Sequence, residues 1–145
     1  MRNILGTIGP RFDAAIVTDA LLSGDGTYGL TGQPYRGDGI IVALPALGLV
    51  LDRDDAALLP AVIGQWVSNY AAPAITSRPA PFHRPRYVGS WVDSATGTLY
   101  LDVVEVFGRD DIAEAIEAGR DRNQIAIWDA GRGEEIATGG TGAVE

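Results

Sequence analysis

The sequence contains no cysteine, and this absence excludes a whole group of functional sites. Without a thiol there can be no disulfide, thiolate zinc site, iron–sulfur cluster or cysteine nucleophile. Histidine is nearly as scarce, since His83 is the only one and has no second metal ligand near it in sequence. The composition therefore predicts neither a metal site nor a cofactor.

Lysine is absent as well, so the 11 positive side chains are all arginines. Against 19 acidic residues they leave a formal net charge of −8. Nonspecific binding to duplex DNA or to an anionic membrane needs an excess of cations at the surface, so we expect neither as a partner. A surface of this charge instead suits a basic protein partner.

A long hydrophobic run is also lacking. The most apolar stretch, residues 40–51, includes Pro45 and Gly48 and is far shorter than the roughly 20 residues that span a bilayer. The N-terminal residues are broken by glycine and do not form the apolar core of a secretory signal. We therefore expect a soluble, cytoplasmic protein.

What is present favours a globular fold. With 145 residues, 46% of them hydrophobic, the chain can bury a core, and we expect a single domain over residues 1–145. Residues 73–86 hold four of the eight prolines and predict an extended, polyproline-like connector. The alternative is two subdomains, residues 1–72 and 87–145, joined by that connector.

The C-terminal part predicts a compact ββαββ unit, because β-branched and aromatic runs alternate with turn and capping residues. A change in the apolar alternation near Val103 predicts a bulge or a strong twist. Asp111 and Glu114 have the spacing of a capping box, and Asn123 suits a left-handed helix end. The glycine-rich residues 138–142 are expected to fray. The predicted elements are strands at 87–92 and 98–107, a helix at 112–122, and strands at 124–129 and 134–137.

Several motifs of this unit occur together: Gly89-Ser-Trp91-Val-Asp93, Thr96-Gly97, Tyr100-Leu-Asp-Val103, Gly119-Arg120, Gln124-Ile-Ala-Ile127-Trp-Asp129 and Glu135-Ile136. In combination they resemble the C-terminal half of a family of small uncharacterised proteins of actinobacteria and their phages. Members often have a strand pair and a short helix upstream, which residues 39–70 match, whereas residues 1–38 have no counterpart. The resemblance implies a phage or mobile-element source and the cytoplasm of the host cell. It carries no catalytic or binding residue over, since the family has no assigned activity.

The N-terminal half predicts a helix at 14–22 capped by Asp13, and a helix at 60–71 with Pro60 at its first position. The continuously apolar residues 39–44 and 47–51 predict two central strands, residues 23–39 a loop, and residues 4–8 a short strand or an anchoring arm. Together the elements predict an α+β fold, with antiparallel strands in one or two sheets and about three helices packed on one side.

No group of residues has a specific catalytic pattern, so an enzyme is not the favoured interpretation. Asp102 and Glu105 are the best candidate carboxylate pair, yet three-residue spacing on a strand directs them to opposite faces unless a bulge intervenes. The glycine-rich residues 24–29 match the spacing of a dinucleotide motif but follow a helix rather than a strand. In an alternative hypothesis, Tyr28, Tyr35 and Arg36 close over a small nucleotide-like ligand, which would make the chain a sequestering protein.

The aromatic residues offer the other candidate site. We predict Trp66 and Trp91 in the core, because both follow apolar stripes. If the hairpin face that carries Tyr100 and Asp102 is exposed, it offers an aromatic anchor beside a carboxylate, with Arg120 and Trp128 nearby. The sequence therefore favours a non-enzymatic phage or mobile-element accessory protein that binds a host or phage protein in host modulation or counter-defence. A virion accessory component is a further alternative.

Overall fold

The computed structural model of the chain describes residues 13–23, 25–44, 47–52, 58–76 and 84–141, and these form the predicted α+β fold. The strand predicted at residues 4–8 lies outside the described residues, as does His83. Within these ranges, seven strands make one antiparallel sheet. They are β1 (Gly26–Tyr28), β2 (Ile40–Ala43), β3 (Leu49–Asp52), β4 (Arg86–Val92), β5 (Thr98–Phe107), β6 (Ala126–Asp129) and β7 (Glu134–Ala137).

The ten-residue strand β5 organises the sheet. It pairs with β4 on one side, and on the other side its two halves pair with β2 and β3. The bulge predicted in β5 is wrong, because its register with β4 continues without interruption from Arg86 opposite Glu105 to Val92 opposite Leu99. On the other side of β5 the register changes between its two partners, since Ala43 of β2 lies opposite Val104 and Leu49 of β3 lies opposite Leu101.

Strand β2 lies between the two hairpins of the C-terminal unit. The strand order is β1-β4-β5-β2-β6-β7, with β3 paired to β5. The predicted ββαββ order of elements is confirmed, but β6 pairs with β2 rather than with β5. The unit therefore completes its sheet with a strand from the N-terminal half, and β2 is the central strand that its apolar run predicted. The prediction of a second central strand at residues 47–51 is wrong for one face of β3, since Val50 is 61% exposed.

The α-helices of the described residues cover one face of the sheet, as predicted. They are α1 (Ala14–Leu22), α2 (Leu59–Trp66), α3 (Ala72–Thr76) and α4 (Ile112–Asp121). Leu99, Leu101 and Val103, which alternate along β5, pack with residues of α1, α2 and α3. Phe107 continues the same face and packs with Ala115 of α4. Within the described ranges, no helix has both the length and the apolar character needed to cross a membrane.

The predicted connector is partly helical, which corrects the prediction for its first residues. A π-helical turn (Val67–Ala71) links α2 to α3, and Pro73 is the second residue of α3. Proline has no N–H to donate and its ring excludes the carbonyl four residues earlier, so a widened turn before it lets the helical path continue. Arg86 already belongs to β4, and residues 77–83 lie outside the described part of the chain.

The C-terminal segment does not fray at residues 138–141, contrary to the prediction. Thr138 is buried and its N–H donates to the Ile125 carbonyl at 3.1 Å, while the Gly140 N–H donates to the Gln124 carbonyl at 3.1 Å. The Thr141 N–H donates to Asn123 Oδ1 at 2.9 Å. Asn123 has the predicted left-handed conformation, with φ of 55°. The end of α4 therefore provides the acceptors that fix this glycine-rich segment.

Candidate functional site

The sheet face opposite the helices carries an exposed apolar row. Val50 of β3 lies opposite Tyr100 of β5, and Tyr100 lies opposite Trp91 of β4, so the three side chains share this face. Val50 is 61% and Trp91 53% exposed, and the Trp91 and Tyr100 rings pack against each other with centroids 5.0 Å apart and planes tilted by 34°. We call Val50, Tyr100 and Trp91 the open-face row.

The exposure of Trp91 corrects the prediction that it belongs to the core. Val88 and Ser90 of β4 are the buried residues, and alternation directs Trp91 to the other side. Trp66 is buried as predicted, and its indole Nε1–H donates to the Leu47 carbonyl at 2.9 Å. The two tryptophans therefore have different roles. The feature that separates Trp91 from Trp66 is its cross-strand partner Tyr100, which becomes visible only when the two strands are paired.

The open-face row lies at one end of the sheet, because the other half of the same face is covered. The Tyr35 ring packs against Tyr87 with centroids 5.2 Å apart, and the Tyr35 hydroxyl accepts a hydrogen bond from the Gly39 N–H at 3.0 Å. Val104, opposite Tyr87, is consequently 6% exposed. The segment before β2 thus covers the face up to about Val104, and the end near the β4–β5 turn stays open.

Asp102 lies on the open face beside the row, two residues after Tyr100. Gly89 is its cross-strand neighbour on β4. On the other side, a Cβ on Gly48 would lie 2.8 Å from Asp102 Oδ1, so the Asp102 carboxylate extends over Gly48 and a larger residue there would displace it. Since neither flanking residue has a side chain, the carboxylate has no side-chain neighbour at positions 48 and 89. We call Asp102, Gly48 and Gly89 the Asp102 notch.

The carboxylate of Asp102 has no partner in the described part of the chain, where no residue forms a hydrogen bond or an ion pair with it. Burial raises the pKa of Asp102 above its ordinary value of 3.8. Desolvation has this effect on any carboxyl whose charge is not compensated. The notch therefore holds a negative charge that the described fold leaves without a counter-ion.

Further acids surround the open-face row. Asp52 follows Leu51 at the end of β3, and Asp93 begins the β4–β5 turn, where its side chain accepts the Ala95 N–H at 2.9 Å. Asp25 Oδ1 accepts the Val92 N–H at 3.0 Å, which fixes this acid at the edge beside Trp91. None of the described residues of β1, β3, β5 or 88–97 is an arginine. This end of the sheet is therefore apolar in the middle and acidic at the border.

The other predicted partner-binding residues are not part of this group. Trp128 shares the face and is 42% exposed, but it lies opposite Ile41, which pairs with Val106. Six residues of strand separate Val106 from Tyr100, about 20 Å. Arg120 is on α4, which packs against the opposite face. The structure thus brings Tyr100 and Asp102 together, adds Val50 and Trp91, and leaves Trp128 and Arg120 elsewhere.

The residues of the ligand-sequestering hypothesis do not converge. Tyr28 lies opposite Val88 in β1, a strand that the sequence did not predict, and packs with the core under the helices. Tyr35 lies on the other face, against Tyr87. Arg36 is exposed. These three side chains therefore do not form one ligand site.

Two buried acids have arginine partners and support the fold. Glu105 lies between Arg86 and Arg122, with the Arg122 Nη2 to Glu105 Oε1 distance 2.7 Å and the Arg86 Nη2 to Glu105 Oε2 distance 3.4 Å. Both arginines also donate to backbone carbonyls, Arg86 to Ala74 and Arg122 to Ala43. Glu105 faces the helices and Asp102 the open side, so the two do not form the carboxylate pair that catalysis would need.

Asp129 is the second of these acids. Its carboxylate accepts two hydrogen bonds from Arg109, at 2.6 and 3.0 Å, and one from the Arg132 N–H at 3.0 Å. These partners, with the Arg109 side chain first, lower the pKa of Asp129 to about 2. Arg109 also donates to the Asp38 carbonyl at 2.7 Å, which connects the start of β2 to the β6–β7 turn. This pair is structural.

Comparisons of the chain with protein-family models, with curated proteins and with solved structures found no match. What the protein binds is therefore inferred from the geometry and the charge of its own surface.

Proposed function

We propose that this protein is a non-enzymatic accessory protein of a phage or mobile element, and that it binds a host or phage protein through the open-face row. The resemblance of residues 87–138 to a family of actinobacterial and phage proteins supports the source. The observation that supports binding is the exposed row itself, in which Val50, Tyr100 and Trp91 follow one another across three strands.

A sheet with one face in water normally carries polar side chains on that face. The open-face row departs from this pattern at three adjacent positions, and its exposed parts include most of Val50 and half of Trp91. Exposed apolar groups of this kind at the centre of a polar border are typical of protein interfaces. Tryptophan and tyrosine are also enriched among the residues that dominate binding energy.

The rigid backbone under the row favours the same function. The Trp91 and Tyr100 rings are already packed together and both belong to the longest paired ladder of the sheet, so little conformational entropy is lost when a partner covers them. By binding a host protein through this row, the protein would modulate that host protein or counteract a host defence. This is the role that we propose.

A selection experiment tests this function. A displayed library of random peptides is selected on the immobilised protein, and the enriched peptides are measured against the variants Trp91→Ala and Tyr70→Ala. Tyr70 is 59% exposed on the helical side and serves as the matched aromatic control. We expect Trp91→Ala to weaken binding by about 2 kcal/mol or more, roughly 30-fold, at an unchanged melting temperature. Peptides that bind the Trp91→Ala variant as tightly as the wild type would contradict the proposal.

A further inference from the structure

We propose that the Asp102 notch is a receptor for one arginine or lysine side chain of the partner protein. The cation lies on the Asp102 carboxylate, beside the packed Trp91 and Tyr100 rings, while the flanking apolar residues of the partner cover the open-face row. This inference rests on the proposed function and specifies the chemistry of the partner.

Local packing does not require a glycine at position 89. A Cβ at this position would lie 3.5 Å from Val104 Cγ1 and 3.7 Å from the Gly26 carbonyl oxygen, which are ordinary contacts. The backbone at Gly89 does not have a positive φ either. Glycine weakens the interior of a strand and often marks a place where another group approaches closely. The absent side chain leaves room directly beside Asp102.

The charge of Asp102 is a second observation that supports a cation receptor. Glu105 has the two arginine partners Arg86 and Arg122, and Asp129 has Arg109 close by and Arg132 at 3.9 Å, so the fold compensates the acids that it buries for its own stability. Asp102 is partly buried without such a partner among the described residues. A cation brought by a partner protein would compensate the carboxylate and recover the cost of its desolvation, which the raised pKa of Asp102 reflects.

The surroundings of the notch select a cation rather than a neutral group. A guanidinium or ammonium group within about 6 Å of an aromatic ring is attracted by the ring face, and tryptophan is the strongest such partner. Asp25, Asp52 and Asp93 add negative potential at the border of the row, so a basic segment is attracted before contact. The net charge of −8 acts in the same direction.

A titration with a defined probe tests the inference. The probe is the tripeptide amide acetyl-Val-Arg-Val, and its control is the analogue with citrulline, which keeps the shape of arginine and removes the charge. Binding is followed through the indole N–H resonance of Trp91, assigned with the Trp91→Phe variant. We expect a saturable shift with the arginine peptide and an affinity at least about tenfold lower for citrulline. Equal affinities, or no saturable shift with either peptide, would overturn the inference.

Two variants separate the notch from the stability of the fold. Gly89→Ala places a methyl group in the notch with acceptable contacts, and Asp102→Asn removes the charge without changing the shape. Both should keep or raise the melting temperature at neutral pH, and both should reduce affinity for the arginine peptide at least about tenfold. Unchanged affinity in Asp102→Asn would overturn the inference even if Gly89→Ala proved unstable.

The same variants distinguish this inference from the proposed function. Library peptides that need Trp91 but bind Asp102→Asn normally would remove the notch as a cation receptor and leave the open-face row as the binding surface. Peptides that ignore Trp91 would remove both. Peptides that need both residues and contain an arginine or lysine support both.

Discussion

At the scale of single residues, three partly or fully buried carboxylates have different surroundings. Glu105 interacts with two arginines from different elements, Asp129 with Arg109 in a two-point contact and more distantly with Arg132, and Asp102 with no described partner. A buried charge destabilises a protein unless it is paired, so the first two acids report on fold stability. The third has no such role in the described fold, and we propose that it contributes to binding.

The Glu105 cluster should therefore be sensitive to substitution. Glu105→Gln leaves two arginines partly buried without their carboxylate, and we expect a loss of about 3 kcal/mol in the free energy of unfolding. Glu114→Gln is the matched control, because Glu114 forms its ion pair with Arg84 at 2.9 Å on the surface. The control should lose less than about 1 kcal/mol. Urea denaturation of both variants measures the difference, and equal losses would show that Glu105 is not a structural centre.

The Asp129 and Arg109 pair predicts a pH dependence with a definite sign. The pKa of Asp129 is lowered from 3.8 to about 2, so the folded protein holds the ionised form more strongly than the unfolded chain does. The stabilisation is complete above pH 3.8 and is lost as the pH falls towards about 2. We expect Asp129→Asn to have a lower melting temperature at neutral pH and to converge with the wild type across this window. Parallel melting curves throughout would contradict the assignment.

Asp102 should behave in the opposite way. Its pKa is raised, so the protonated form is favoured by folding and the contribution of this group is lost as the pH rises above 3.8. The Asp102→Asn variant should therefore be at least as stable as the wild type at neutral pH, and its advantage should disappear in acid. Thermal melting at both pH values checks this, and a lower melting temperature for Asp102→Asn at neutral pH would show that its carboxylate supports the fold.

At the scale of elements, close approach between α4 and the sheet depends on one glycine. A Cβ on Gly119 would lie 2.8 Å from Ile127 Cγ2 and 2.9 Å from Thr138 Cγ2. Alanine is a better helix former than glycine by about 1 kcal/mol, so propensity alone predicts that Gly119→Ala stabilises the protein. We expect the clash to dominate and the variant to lose about 1–3 kcal/mol, as overpacked cores do. A rise in melting temperature would show that α4 can move away from β6.

Some of these elements can be predicted from the local sequence and others cannot. Helix α1 was predicted at the residues where it is found, because Asp13 Oδ1 accepts the Ala15 N–H and fixes the start. Strand β1 was missed, because its three residues pair with β4 60 to 64 positions later and have no alternation of their own. Tyr100 and Asp102 were recognised as neighbours from their spacing on one strand. Val50 and Trp91 joined them only through cross-strand register, which no local pattern contains.

At the scale of the whole molecule, the two halves of the sequence share one sheet, and both hydrophobic clusters contain residues from each half. Ile40 and Val42 of β2 pack with Phe107, Ala115 and Ile127, which all belong to the C-terminal unit. Conversely, Leu99, Leu101 and Val103 of β5 are covered by helices from the N-terminal half. Hydrophobic burial is the main stabilising contribution, so each half depends on the other for it.

A fragment of residues 86–145 should therefore not fold on its own. Without β2, the β6–β7 hairpin loses its connection to β5, since β6 pairs with β2 and β2 with β5. Two-stranded hairpins are marginally stable in water, and the fragment would also expose the apolar side of β5. We expect a broad, non-cooperative thermal transition in circular dichroism, whereas the full chain melts cooperatively. Mixing the fragment with residues 1–85 should restore a cooperative transition, because the missing strand and helices are then supplied in trans. A sharp transition of the fragment alone would show that residues 86–145 form an independent unit and that β2 only adds to it.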